Sequence, residues 1–206
     1  MIATKQISTQ KSARKIPEYL VHEIIDGKPI YYKGYKSVIN KTKTIDEIMG
    51  CSTLQAVIIQ YLLKMIYRKI DDTKYHVLTN EIGNHIDLGN NFSNDIAIFD
   101  KQVLTADKIN KKYASVPPKF VLEIDNEGDV SELTEIGYIF KKSRKLHEFG
   151  VENIFWILTE IKSVIIAEPN KNWQVIDWNK DIELFDGITI NIGAYLANEG
   201  IVVESF

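Results

Sequence analysis

Two short, apolar, β-prone runs in this chain each carry one carboxylate: Asn94-Asp95-Ile96-Ala97-Ile98 and Phe120-Val121-Leu122-Glu123-Ile124. Glu123 follows Asp95 by 28 residues. A carboxylate inside a buried strand is costly unless something pairs with it. A divalent cation is one such partner, and it needs few protein oxygens when water fills its remaining positions. Two adjacent strands that each offer one acid therefore suggest a small Mg²⁺ or Mn²⁺ site. The alternative is structural: Asp95 ends its strand facing water, and Glu123 pairs with a lysine.

The residues after Glu123 sharpen the pattern. Residues 131–149 have a helical period, with Ser131 as the expected N-cap and Glu132 and Glu135 in the first turn. Leu133, Ile136, Phe140, Ser143 and His147 form the expected packing face, and Tyr138, Lys141, Lys142 and Lys145 the other side. Gly150 stops the helix. Asn153-Ile154-Phe155-Trp156-Ile157-Leu158 then reads as a strand buried on both faces, so Trp156 belongs to the core. An acidic strand, a second acidic strand, a lysine-bearing helix and a buried strand follow one another in that order.

From Glu23 to about Tyr195 this order resembles a large bacterial family of candidate restriction endonucleases, a domain of unknown function within the PD-(D/E)xK nuclease superfamily. The resemblance rests on Glu23-Ile24-Ile25-Asp26-Gly27-Lys28, the helix start at Ser52, Asn94 to Ile98, Pro118 to Ile124, and Tyr138 to Trp156. It implies an α/β fold: a restriction-endonuclease-like mixed central sheet flanked by helices, here with an antiparallel C-terminal extension. It further implies a Mg²⁺- or Mn²⁺-dependent DNA endonuclease acting as a homodimer. By the same resemblance Asp95 is the aspartate of the first element and Glu123 the acid of the second. The Ile124 main-chain carbonyl is a further metal ligand, and Glu23 an acidic position that joins the metal site. The motif lysine two residues after Glu123 is replaced by Asp125, so the lysine comes from the helix. Lys142, eight residues before Gly150, is the best match, with Lys141 and Lys145 as fallbacks.

Some residues depart from the family pattern. Asn94 stands in place of proline, which is expected to matter little. Gln55 stands where relatives often have histidine, and cannot take a proton near neutral pH. The stretch Asp125-Asn126-Glu127-Gly128-Asp129 is unusually acidic, which could recruit a second metal with Asp125 in support of the site, or signal drift away from catalysis. These departures leave open a second class of function, a nuclease-fold binding module without catalysis. Hydrolysis of another phosphoester is a third. Lys142 could equally be a solvated helix lysine, and Glu23, before the Asp26-Gly27 turn pair, could pair with a basic neighbour. His85 is read mainly as structural.

A length of 206 residues with 45% hydrophobic content suits one domain over residues 16–206, after a basic tail over residues 1–15 expected to be flexible. No apolar run reaches the roughly 20 residues that span a bilayer. Met1 to Lys15 lacks the apolar core of a secretory signal. Cys51 is the single cysteine, so no internal disulfide and no CxxC zinc site can form, which fits a reducing cytoplasm. The net charge of −3 argues against a nucleic-acid partner, since such domains are often strongly basic. Local patches govern binding, however, and lysines cluster at Lys101, Lys108, Lys111, Lys112 and Lys119, in the tail, and beside Lys142.

The remaining elements are expected as follows. A hairpin spans 23–32, a polar connection 35–43, a short helix starts at Thr44, and an amphipathic helix runs over 52–70. Strands occupy 75–79 and 94–99, with an irregular stretch through Gly83, His85 and Gly89 between them. Residues 163–167, 173–177, 182–184 and 188–192 form the antiparallel extension, covered by Trp173 and Trp178, before a helical turn over 193–197.

Overall fold

The computed structural model describes residues 15–126 and 128–204. The expected tail, apart from Lys15, lies outside the described residues. The first hairpin is β1 (Val21–Ile25) and β2 (Lys28–Tyr31). Asp26 and Gly27 turn it with φ of 49° and 73°, the left-handed pair that a tight hairpin needs. Next come α1 (Tyr35–Ile39) and α2 (Thr53–Tyr67), then β3 (Tyr75–Asp87), β4 (Asn90–Asp100) and β5 (Phe120–Ile124). After α3 (Glu135–Phe149) follow β6 (Asn153–Leu158), β7 (Ser163–Ala167) and β8 (Gln174–Asp177). A small pair, β9 (Ile182–Glu183) and β10 (Thr189–Ile190), precedes α4 (Ile192–Asn198).

Eight strands form one mixed sheet in the order β2-β1-β4-β5-β6-β7-β8, with β3 paired to β4 as well. Its one parallel pair among the described residues is β5–β6, joined through α3, because a parallel return needs a crossover. On one face, Ile58, Leu62 and Ile66 of α2 pack on Ile96, Leu122, Phe155 and Ile157; Ile190 of β10 and Leu196 of α4 join the same core. On the other, Ile139 and Leu146 of α3 pack on Val121, Ile154 and Trp156. The expected α/β architecture with an antiparallel C-terminal extension is the one observed. No helix among the described residues is long and apolar enough to cross a membrane.

β3 runs along one edge of β4 for its whole length. The other edge of β4 is shared by two strands: Asn91 pairs with Ile24 of β1, while Ile96, Ala97 and Ile98 pair with Leu122, Val121 and Phe120 of β5. The sheet therefore forks over residues 92–95. Backbone polar groups left unpaired there need other partners.

Several local expectations are corrected. The stretch through Gly83 and His85 is regular β3, interrupted by a bulge between Thr79 and Ile82, where Asn80 and Glu81 take φ of 72° and 51°. Residues 35–39 are helical, and Thr44 begins a turn rather than a helix, its N–H donating to Glu47 Oε2 at 2.7 Å. α3 starts at Glu135, capped by Thr134, because Asp129 Oδ1 accepts from Ser131 N (3.1 Å) and holds the preceding residues in a turn. Its buried face is Tyr138, Ile139, Lys142, Ser143 and Leu146. Ile136 and Phe140, expected inside, are 52% and 47% exposed. Apolar period fails here because the inward polar side chains all find partners in the interior.

Candidate active site

Ser93 lies at the fork. Its N–H donates to Glu23 Oε1 (3.0 Å), and its carbonyl accepts from Lys142 Nζ (2.8 Å). Two side chains thus replace the missing strand. Glu23 from β1 and Lys142 from α3 are each 2% exposed, and Glu123 from β5 is 5% exposed. Lys142 Nζ stands 2.8 Å from Glu23 Oε1 and 3.0 Å from Glu123 Oε1. Tyr138 donates its hydroxyl to Glu23 Oε2 (2.7 Å). The rings of Phe92, Tyr138 and Trp156 surround the ammonium at 5.5 to 5.9 Å, within cation–π range. Trp156 is itself fixed by donating to Ser143 Oγ at 2.9 Å.

Asp95 stands at the other side of the fork. Its Oδ2 accepts from Ile124 N (2.7 Å) and its Oδ1 from Gln55 Nε2 (3.2 Å). Gln55 is in the first turn of α2, where Ser52 caps the helix by accepting from Gln55 N (3.1 Å). The Asn94 side chain donates to Glu123 Oε1 and accepts from Asn84. A cavity of about 20 Å³ lies among Asp95, Glu123, Ile124, Lys142, Gln55 and His22, roughly the room of one water molecule or bare cation.

Charge does not balance in this pocket. Two buried glutamates share one lysine, and Asp95 adds a third acid. Burial penalises the Lys142 ammonium, but Glu123 and Glu23 outweigh that and hold its proton well above the ordinary range. Burial also works against Glu23, yet Lys142, His22 and the Tyr138 hydroxyl bring it below the usual carboxylate range. Glu123 goes the other way: burial pushes it up to about 8, with Asp95 and Glu23 opposing the lysine's help. The same lysine thus lowers one partner and fails to hold down the other, because Glu23 has two further donors and Glu123 has neighbouring negative charge. Burial lifts Asp95 to about 6 despite the Ile124 N–H.

A pH dependence follows. Between about pH 4 and pH 8 the folded chain keeps protons on Asp95 and Glu123 that the unfolded chain releases. Stability therefore falls as pH rises through that window, with Asp95 contributing its loss by about pH 6 and Glu123 by about pH 8. Glu23 has the opposite sign, and its contribution is lost only on acidification. Urea titrations in EDTA are expected to show the protein weaker at pH 8 than at pH 5 by on the order of 3–5 kcal/mol. A flat profile would remove the claim of surplus buried negative charge.

The donor set fits a hard cation. Desolvated carboxylate oxygens in excess of their cationic partners border a space of ion size, with Ile124 lining it too. Among the described residues no group of three His, Cys, Asp or Glu converges as a metal site. An ion there would rest on two carboxylates and a main-chain carbonyl, and keep several waters.

Of the other residues singled out from sequence, Lys141 and Lys145 lie elsewhere, paired with Asp26 at 2.9 and 3.2 Å. Asp125 is spent structurally: its carboxylate accepts from Thr159 N and Thr159 Oγ1, both at 2.7 Å. His85 is exposed and bonded to Asn91. Three residues of the site went unrecognised. Asn94 is 1% exposed and holds Glu123, so its replacement of proline does matter. Tyr138 anchors Glu23. His22 lines the cavity, its pKa lowered chiefly by burial, with a buried Nδ1 that has no protein partner. Proximity to Asp95 and Glu23 in sequence was the available signal for Asn94 and His22; none existed for Tyr138.

No known family model matches the chain, and no curated protein does. A solved structure does: that of "a putative nuclease belonging to DUF820" from Anabaena variabilis. It aligns with a TM-score of 0.61 at 12% identity, over 85% of this chain and 89% of that one. At that identity the likeness establishes a shared nuclease-like fold.

Proposed function

We propose that the protein is a Mg²⁺- or Mn²⁺-dependent endonuclease that hydrolyses DNA phosphodiester bonds. The observation that carries this reading is the convergence at the sheet fork of Asp95, Glu123 and Lys142, with surplus buried carboxylate beside an ion-sized space. The fold shared with a chain described as a putative nuclease supports it. Asp95, Glu123 and the Ile124 carbonyl would hold the ion. The ion, when bound, neutralises phosphate charge and lowers the pKa of a coordinated water. Gln55 and the Ile124 N–H aim Asp95, as outer partners of metal-binding carboxylates do. Lys142 keeps its proton at working pH and stabilises charge developing on the phosphate or orients the attacking water. Glu23 has both oxygens engaged by Tyr138, Ser93 and Lys142, and its part is to fix the lysine. Cutting both strands of a duplex calls for two copies, hence a homodimer.

The test is incubation of supercoiled plasmid with Mg²⁺ or Mn²⁺, beside EDTA and Asp95→Asn controls. Metal-dependent nicking by the native protein alone is expected. The absence of any cleavage overturns the reading. One observation favours a second reading, a binding module without catalysis: Lys142 already clamps both glutamates, and the space between the acids is small. A protein whose melting temperature ignores millimolar divalent ions, and which cuts nothing, would be that module.

A further inference from the structure

The connection from β4 to β5 does not run free over the surface. Ala114 bridges Asn84 in parallel register; its N–H donates to Gly83 O and its carbonyl accepts from His85 N, both at 2.8 Å. This lays the Tyr113 ring on Gly83. A Cβ at Gly83 would stand 2.5 Å from the ring, so glycine alone leaves room for it. The ring's outer side stays open, with Tyr113 59% exposed. Lys112 is set by a local turn, its N–H donating to Asn110 Oδ1 at 2.8 Å. Among the described residues the ion pairs include neither Lys111 nor Lys112.

Between this loop and the β3–β4 hairpin is a cavity of about 380 Å³ lined by His85, Asn91, Asn110, Lys112, Tyr113 and Ser115. It combines an aromatic wall, a cation and hydrogen-bonding side chains. A nucleotide requires the same set: a stacking surface, a phosphate partner and groups for the base edge. His85 and Asn91 are register partners joined through Nδ1 and Oδ1 at 2.6 Å, so the Asn91 amide is oriented before any ligand arrives.

The cavity is placed to serve the carboxylates. Strand alternation puts Asn91 and Asp95 on the same side of β4, four residues or about 13 Å apart. The groove that shares Asp125 and Asn126 with the site is unsuited to phosphate. The adjoining groove, of about 570 Å³, presents Asp125, Glu135, Glu160 and Glu204 against Lys33.

We propose that this cavity seats one nucleotide of the DNA strand being cut, its base stacked on Tyr113 and its phosphate on Lys112. The proposal rests on the nuclease reading, and binding is therefore measured apart from cleavage. Fluorescein-labelled DNA, single-stranded and duplex, is titrated in EDTA with native protein and with Tyr113→Ala, Tyr113→Phe and Lys112→Ala. Tyr113→Ala is expected to weaken binding about tenfold on at least one probe, as the loss of one base–aromatic stack does. Tyr113→Phe keeps native affinity, and Lys112→Ala lowers the slope of log affinity against log salt by about one. Gly83→Ala, which displaces the ring, behaves like Tyr113→Ala. Native binding that all four variants leave unchanged overturns the nucleotide seat while plasmid cleavage still stands. A native protein that binds neither probe in EDTA yet nicks plasmid with Mg²⁺ overturns the seat alone; one that neither binds nor nicks overturns both.

Discussion

Glu123→Gln is expected to abolish cleavage and, at the same time, to make the metal-free protein more stable. Glu123 is buried among Asp95, Glu23 and a lysine it must share, which is why its pKa is pushed up to about 8. Holding that carboxyl against ionisation at neutral pH costs the fold stability that a neutral side chain of the same shape does not cost. Glutamine retains an oxygen for Asn94 and Lys142. The expected gain is on the order of 1–3 kcal/mol at pH 8, vanishing near pH 4, where the native residue is already protonated. Cleavage falls by at least about a hundredfold, since a metal ligand and the charge it contributes are both lost. Urea titrations at the two pH values and plasmid nicking read the two effects separately. An unstable variant at pH 8 would show that Glu123 is a structural partner of Lys142 and not a strained functional group.

Strain of this kind explains what could be read from the sequence. Asp95 and Glu123 were legible because an acid in an apolar, β-prone run has few explanations. Lys142 was reached only through the family resemblance, which implies a helix lysine eight residues before Gly150, and its burial was not legible at all. A lysine on an amphipathic helix scores as solvent-facing, and the partner that brings it inside, Glu23, lies 119 residues away in sequence. Tyr138 was misplaced for the same reason. Asn94 looked like a neutral substitution for proline, because its partner Glu123 becomes its neighbour only once the sheet forks.

The β3–β4 hairpin shows another limit. Gly83 and the bulge at Asn80 and Glu81 break the strand pattern locally, and the segment reads as loop. Gly83 is there because Tyr113 covers it, a contact between residues 30 positions apart that no local rule expresses. The coarse α/β order survives these errors because it depends on β5 and β6, whose apolar runs are clean, and on a helix lying between them, whichever face it buries. Errors concentrate where side chains do work that backbone pairing normally does.

Lys142→Met reverses the sign of the first prediction. The methionine fills similar volume within the cage of Phe92, Tyr138 and Trp156, so packing is nearly conserved. What is lost is the ammonium paired with Glu23 and Glu123, together with a donor to the Ser93 carbonyl. Removing one partner of a buried ion pair costs about 3–5 kcal/mol, because the other charge stays behind. The loss should be greatest at pH 8 and smaller at pH 5, where Glu123 takes up a proton in place of the ammonium. Adding Glu23→Gln to Lys142→Met should recover part of it, giving a coupling that distant sites do not show. Lys142→Arg is not a conservative control, since a planar guanidinium cannot sit at the ammonium's position between two single oxygens. Chemical denaturation of the two single variants and the double variant, in EDTA at both pH values, measures the cycle. A Lys142→Met loss below about 1 kcal/mol, insensitive to pH, would mean that the fork is held by backbone and packing alone and that Glu23 and Glu123 do not depend on the lysine's charge.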